Sequence, residues 1–357
     1  MTGVLQGALG GARALLVGWI LPSLINVVVF GFAVVPGPRR IGALSVDAGW
    51  AAVAGLVATA VLGLVLAALQ TPLYRVLEGY FAWPGWLLRR RRRRQVARLH
   101  LLRNRVDAVT LARREDRLPA EDRATPAKFR AQEDLGPYLE RDLRKGPVWH
   151  ALLAERLHRY PLDDQQVAAT RLGNAIRRFE EYGHHRYRLD SQVLWHELNA
   201  GVAEPVRKQV EDGRTNVDFF VSLLCGHVLV VVAAAVDLVV GRAELPWVTA
   251  GALVGLLVLA VVWYRVAVVA TDEWAGAVRA MVDLGRAPLA TAMGLTLPAR
   301  LADEREMWRA AVGFVGTGPT DALDPYRAKP EQPRAGRAPR PAGSRPGRGS
   351  RPGRWRW

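Results

Sequence analysis

Cysteine is nearly missing from this chain of 357 residues. Cys225 stands alone, which excludes an intrachain disulfide and a cysteine-rich metal site. The signatures of phosphate-binding and acyl-transfer enzymes are missing as well: there is no P-loop, no GxGxxG behind a strand and no GxSxG elbow. His196-Glu197-Leu198-Asn199-Ala200 begins like a zinc-binding HExxH helix but lacks the second histidine that would put two imidazoles on one face. His184, His185 and His196 therefore read as surface histidines in a charged connector. The acid pairs Asp163-Asp164 and Glu180-Glu181 read as a helix start and a solvated face. No alternating strand pattern of useful length occurs. The remaining expectation is an all-α chain with no catalytic centre and no cofactor or metal.

Charge is the next thing that is unevenly absent. The average composition, 50% hydrophobic and 23% charged, would suit an ordinary soluble protein, but the apolar residues are bunched into four blocks. A helix needs about 20 mostly apolar residues to cross about 30 Å of hydrocarbon. Residues 14–36, 48–74, 217–240 and 245–270 meet that length, and the first two carry no charge. They predict a polytopic membrane protein of two transmembrane hairpins. The expected organisation is a first hairpin (1–80), a cytoplasmic helical region (81–216), a second hairpin (217–270), a helical extension (271–316) and a disordered basic tail (317–357).

Sidedness follows from the cations. Arg89, Arg90, Arg91, Arg92, Arg93 and Arg94 run consecutively just after the first hairpin, and residues 75–216 hold 29 Lys or Arg against 20 Asp or Glu. Cationic side chains collect in cytoplasmic segments near the ends of spans. The short connecting loops are nearly neutral, so both termini are expected in the cytoplasm of a cell in whose plasma membrane the protein sits. The first span reads as an uncleaved signal anchor. Tyr80, Phe81, Trp83 and Trp86 precede the arginines and suit the headgroup layer, where the arginines could meet anionic lipid phosphates.

Half of the net charge of +16 lies at the end: residues 328–357 contain nine Lys or Arg and one Glu. Arg348, Arg351, Arg354, Trp355, Arg356 and Trp357 combine cations with terminal aromatics. Anionic lipid is the expected partner of this tail, with single-stranded nucleic acid as the alternative.

Inside the spans, polar residues are costly and mark bundle interiors or cavities. Asn26 and His227 lie near the midplane, where they could bond to each other, and Asp237 and Arg265 lie toward interfaces. Pro22 should kink the first span or free a carbonyl near Asn26. Gly251 and Gly255 match a close-approach motif. Among the cytoplasmic helices, Asp163 or Asp164 should cap one whose face is Val167, Leu172, Ile176 and Phe179, with Gly183 as its stop, and Ser191 should cap the next. Val206, Val210, Gly213 and Val217 continue in helical register into the third span. The fourth span runs on through Trp274, Val278, Met281 and Val282 until Pro288 bends or ends it. A last helix should place Leu301, Trp308, Val312 and Val315 on one side.

Several segments also resemble a group of uncharacterised bacterial four-span membrane proteins. These are Arg171-Leu172-Gly173-Asn174 with Arg186-Tyr187, Asp190 and Trp195, then Leu77-Glu78-Gly79-Tyr80, the stretch from Val278 to Leu284, and Glu304 to Trp308. Arg188 stands where that pattern has glycine. The resemblance implies a membrane location and topology and supplies no activity. Arg171 and Asn174, one helical turn apart, are expected to dock on the extension of the third or fourth span, with Asp283 as the partner of Arg171. The functional expectation is a non-enzymatic, membrane-anchored interaction or scaffold protein, with a protein partner or a second copy of itself. A small oligomeric channel or transporter is the alternative.

Overall fold

The structure, a computed structural model, describes residues 11–34, 48–114, 135–241 and 246–328. The connecting loops, the stretch 115–134 and the basic tail, including Arg348, Arg351, Arg354, Trp355, Arg356 and Trp357, lie outside the described residues. The fold is all-α. No strand occurs among the described residues, and a single antiparallel bridge joins Leu295 to Arg327.

Four helices are long and apolar enough to cross a membrane. The first is α1 (Gly11–Ala33) and the second α2 (Ala48–Ala68). Pro22 lacks an amide hydrogen and crowds the preceding turn. The chain answers with a π-helical turn at Leu16–Ile20, and the side-chain amide of Asn26 donates to the Pro22 carbonyl at 2.9 Å. Next come α3 (Gln70–Glu78), α4 (Gly85–Arg113), α5 (Gly136–Arg144) and α6 (Gly146–His158). Then follow α7 (Arg171–Glu180), α8 (Tyr182–Tyr187) and α9 (Trp195–Gly201). The last long elements are α10 (Glu204–Val239), α11 (Pro246–Ala292) and α12 (Leu301–Thr317).

Helices α10 and α11 form the frame. With 36 and 47 residues, they extend about 54 and 70 Å at 1.5 Å per residue. Each begins or ends as an apolar span and continues without a break into the polar half of the molecule, as the register of Val206, Val210, Gly213 and Val217 predicts. They cross where a Cβ on Gly213 would come within 2.8 Å of the Trp274 Cα. The main core gathers on this pair: Leu172, Ile176, Phe179, Leu194, Leu198, Val282, Met307 and Trp308 all pack on it. In the apolar half, large aliphatics such as Leu56, Val61, Val232 and Val258 point outward, a surface suited to lipid.

Several local expectations change. Pro288 does not end α11; the helix runs four residues further because Leu289 and Ala290 are held in the core at 1% exposure. The helix carrying Leu172 is capped by Thr170, whose hydroxyl accepts from the Gly173 amide, while Asp163 caps only a short 3-10 turn at Asp164–Gln166. Gly183 does not stop that helix; it lies inside α8. Asp190, not Ser191, accepts from the amides of Gln192 and Val193, and the Ser191 hydroxyl donates back to the Glu180 carbonyl. In α12 the buried face is Glu304, Met307, Trp308 and Ala311, with Leu301 and Val315 exposed. Order also extends past residue 317, where the tail was expected to start: a 3-10 turn at Asp321–Tyr326 buries Leu323 in the main core. Arg188 takes the left-handed conformation, φ 63°, at the end of α8. That is the conformation glycine adopts most cheaply, so the arginine at this position is held there at some backbone cost.

A smaller core lies beside the frame, where Leu99, Leu102 and Leu153 of α4 and α6 meet Tyr160 and Val167. It is tied to α11 by Arg159, which donates from Nε to Asp272 at 2.9 and 3.0 Å.

Candidate functional site

The resemblance segments come together in space. Gly173 of α7 lies against the end of α3, where a Cβ would meet the Glu78 carbonyl at 2.5 Å, and Gly79 (φ 92°) turns the chain beside Ala169 and Thr170. The Asn174 side chain, 1% exposed, accepts from the Ala168 amide at 2.7 Å and donates to the Ala168 carbonyl at 3.3 Å. Asn174 therefore fastens its own approach segment and does not dock on a long helix. Tyr264 of α11 does that docking, its hydroxyl accepting from the amides of Arg171 and Leu172 at 3.1 and 3.3 Å. The polar half thus reaches α11 inside the expected fourth span.

The expected Arg171–Asp283 pair does not form. Arg171 faces Tyr160, Tyr264, Arg98 and Arg265, and burial holds its guanidinium below the usual range. Asp283 instead accepts from Tyr182 at 2.9 Å and from Tyr187 at 2.8 Å. The Arg286 guanidinium lies 4.6 Å from the Tyr187 ring centre and donates to the buried Glu304, which also accepts from Trp308. α8, α11 and α12 are joined by this network, which uses three of the resemblance segments structurally.

Fastening α7 to α3 leaves a cavity of about 460 Å³ at the base of the spans, bounded also by α9, α10 and α11. Tyr74, Phe179, Trp195 and Trp274 supply aromatic walls, and Glu78, Glu180, Arg75, Arg214 and His196 supply charge and polarity. Above it, Asp218 accepts from Tyr74 at 2.7 Å and from Gln70 at 3.1 Å, locking α3 to α10. Burial, then the neighbouring Glu180, push the Glu78 carboxyl up to about 7, against the pull of Arg177 and Arg75. Burial raises Glu180 as well. Chemically, such a pair retains protons more readily than free carboxylates or accepts a cation against aromatic faces. Glu180 is thus a cavity residue, not part of a solvated face, and Glu181 is occupied by Arg177 and His185. The sequence concealed the cavity because its walls come from segments about a hundred residues apart.

The raised Glu78 has a measurable consequence. Its folded value lies above its unfolded one, so its contribution favours the native state at low pH and is lost as pH rises between about 4.5 and about 7. Glu78→Gln should match the wild type in thermal unfolding at pH 4 and be the more stable protein at pH 8. Parallel curves at both pH values would mean that Glu78 is solvated.

In the spans, Asn26 and His227 do not bond to each other. The Asn26 amide donates to the Pro22 carbonyl within α1 and, at 3.5 Å, to the Ser222 carbonyl of α10, and it faces Gly226, where a Cβ would meet its nitrogen at 2.0 Å. His227 Nδ1 lies 3.0 Å from the Leu223 carbonyl, and its ring stands edge-on to Trp263. Asp237 is half-buried and Arg265 exposed. Nothing approaches Gly251 or Gly255 within 4 Å. Arg89, Arg90, Arg91, Arg92, Arg93 and Arg94 are all exposed on α4. Arg92 nevertheless donates to the Val167 and Gln165 carbonyls, and Arg91 stands 5.8 Å from the Trp83 ring centre.

No protein-family model, curated protein or solved structure matches the chain.

Proposed function

We propose that this is a non-enzymatic, membrane-anchored interaction protein that holds its helical module and the Glu78–Glu180 cavity against the inner face of the plasma membrane. The observation that carries this reading is the continuity of α10 and α11 from apolar span into the core of the module, which makes anchor and module one framework. A module fixed in this way presents a constant surface to a partner, a soluble protein or a second copy. The basic balance of residues 75–216 supports a cytoplasmic position with both termini inside. The five arginines of the run other than Arg92, together with the basic tail, favour anionic lipid, each Arg near the surface adding about 1 kcal/mol. Nucleic acid is the less favoured partner of the tail.

The competing reading, a channel or transporter, is supported by a polar seam between α1 and α10, where the Ser23 and Ser222 hydroxyls and the Asn26 carbonyl oxygen are buried without hydrogen-bond partners. Reconstituted in liposomes, the protein should leave ion permeability at the level of empty vesicles. A conductance that disappears in His227→Ala or Asp237→Ala would overturn the interaction reading. The orientation has its own check: in a Cys225→Ser background, a cysteine at Ala120 should resist an impermeant reagent applied to intact cells, and its labelling would invert the topology.

A further inference from the structure

On the other side of Phe179 from the carboxylate cavity lies a second cavity, of about 390 Å³, between α6, α7, α8 and α11. Its charged lining is unusual in what is paired and what is not. Both of its carboxylates are engaged: Asp272 accepts from Arg159, and Glu155 pairs with the same guanidinium. The acids close by are engaged too, Glu181 with Arg177 and His185, and Asp283 with Tyr182 and Tyr187. Thr271 spends its hydroxyl on the Val268 carbonyl.

The cations are different. Arg178 is half-buried and, among the described residues, makes no hydrogen bond and no ion pair. Arg279, on the facing helix, donates only from Nε to the Ala275 carbonyl and has no carboxylate within 4.0 Å among the described residues. His158 lines the same cavity. Burial, and after it the proximity of Arg279, depress the guanidinium of Arg178. A partly desolvated guanidinium beside a second one is an unfavourable arrangement, which Glu181 and Tyr182, neither in direct contact with it, offset only in part. An incoming anion offsets it directly, because planar N–H forks match the oxygens of phosphate. The volume falls within the range that holds small molecules, about 300–1,000 Å³.

We propose that this cavity is an anion-binding site for a phosphate group, held by Arg178 and Arg279 across the α7–α11 cleft with His158 at its edge. The phosphate could belong to a soluble phosphate ester or to a lipid headgroup. Thr271 to Arg279 lie about 1.5 to 13 Å along α11 beyond residue 270, where the expected fourth span ends, so the cavity is within reach of both sources. The site is independent of the carboxylate cavity and adds to the interaction reading a small anion that stiffens the module from within.

Thermal unfolding and calorimetry of the full-length protein in a neutral detergent test it, with inorganic phosphate as one probe and dioctanoyl phosphatidic acid as the other. At low salt, at least one probe should bind saturably and raise Tm. Arg178→Gln and Arg279→Gln should each weaken that binding by tenfold or more. Arg90→Gln, in the exposed run, should not. Arg178→Gln without any anion should unfold at or above the wild-type temperature, since it removes an incompletely compensated cation; a purely structural arginine would instead lower it. Arg279 is exposed, so its variant keeps the test decisive even if Arg178→Gln folds poorly. Binding of phosphate assigns the soluble source, and binding of the lipid alone assigns the bilayer. Absence of saturable binding by both probes to millimolar concentration overturns the proposal, as does binding that both variants leave unchanged.

Discussion

Gly173→Ala should lower stability by about 3 kcal/mol, the upper end for forcing one methyl group into a packed contact. The added Cβ would sit 2.5 Å from the Glu78 carbonyl and 3.0 Å from the Glu78 Cα. These are backbone atoms, so no side chain can swing aside; α7 must lift from α3. The displacement reaches the cavity, because Glu78 is at once the contact and a wall. A fall in Tm accompanied by loss of the Glu78-dependent pH effect is the expected pair of results. Gly276→Ala on α11, where nothing lies within 4 Å of the new Cβ, is the control, and helix propensity makes it neutral or stabilising by up to about 1 kcal/mol. Equal effects of the two substitutions would show that α7 does not press on α3.

Arg105→Ala should have the largest effect in the smaller core. Asp142 has no exposed surface and accepts from Arg105 at 2.8 and 2.9 Å and from Trp149 at 2.7 Å. Burial alone would raise its carboxyl, but the bonds from Arg105 and Trp149 outweigh burial and hold it below the usual range. The stabilisation is therefore present above the unfolded value and lost as pH falls through the depressed folded one. Removing the arginine leaves the buried carboxylate with only the Trp149 bond and Arg141 at 3.9 Å, which costs up to about 3–5 kcal/mol. Replacing both partners, Arg105→Met with Asp142→Leu, should recover most of it. Hydrogen exchange along α5 and α6 reads the loss locally; protection there that is unchanged in Arg105→Ala would sink the assignment.

Much of this architecture was legible in the sequence because it depends on local patterns. Four apolar runs of spanning length give four candidate spans, and the register of Val206 to Val217 gives the continuity of α10. Termination was less legible. Pro288 withdraws one hydrogen bond, yet burial of Leu289 and Ala290 keeps the turn; Thr170 out-competes Asp163 as a cap because it directly precedes the helix. Partner choice was least legible. Asp283 goes to two tyrosines on α8 and Arg171 to the neighbourhood of Tyr264, and spacing along one helix does not encode which side chains another helix brings. The cavities share that difficulty, since Glu78 meets Glu180 only after α3 and α7 have packed.

The length of α11 carries a mechanical consequence. A rod of about 70 Å, gripped by lipid at one end and built into the core at the other, behaves as a lever: a change of about 5° in its tilt, of the kind bilayer thickness imposes, swings the far end by about 6 Å. Arg279 and Trp274 ride on that arm, and Arg178 and Phe179 ride on α7, which packs along it from Tyr264 to Trp274, where the Phe179 and Trp274 ring centres lie 4.7 Å apart. Because α7 and α11 share one core, a change of tilt would carry both cavity walls together and swing the module as one body.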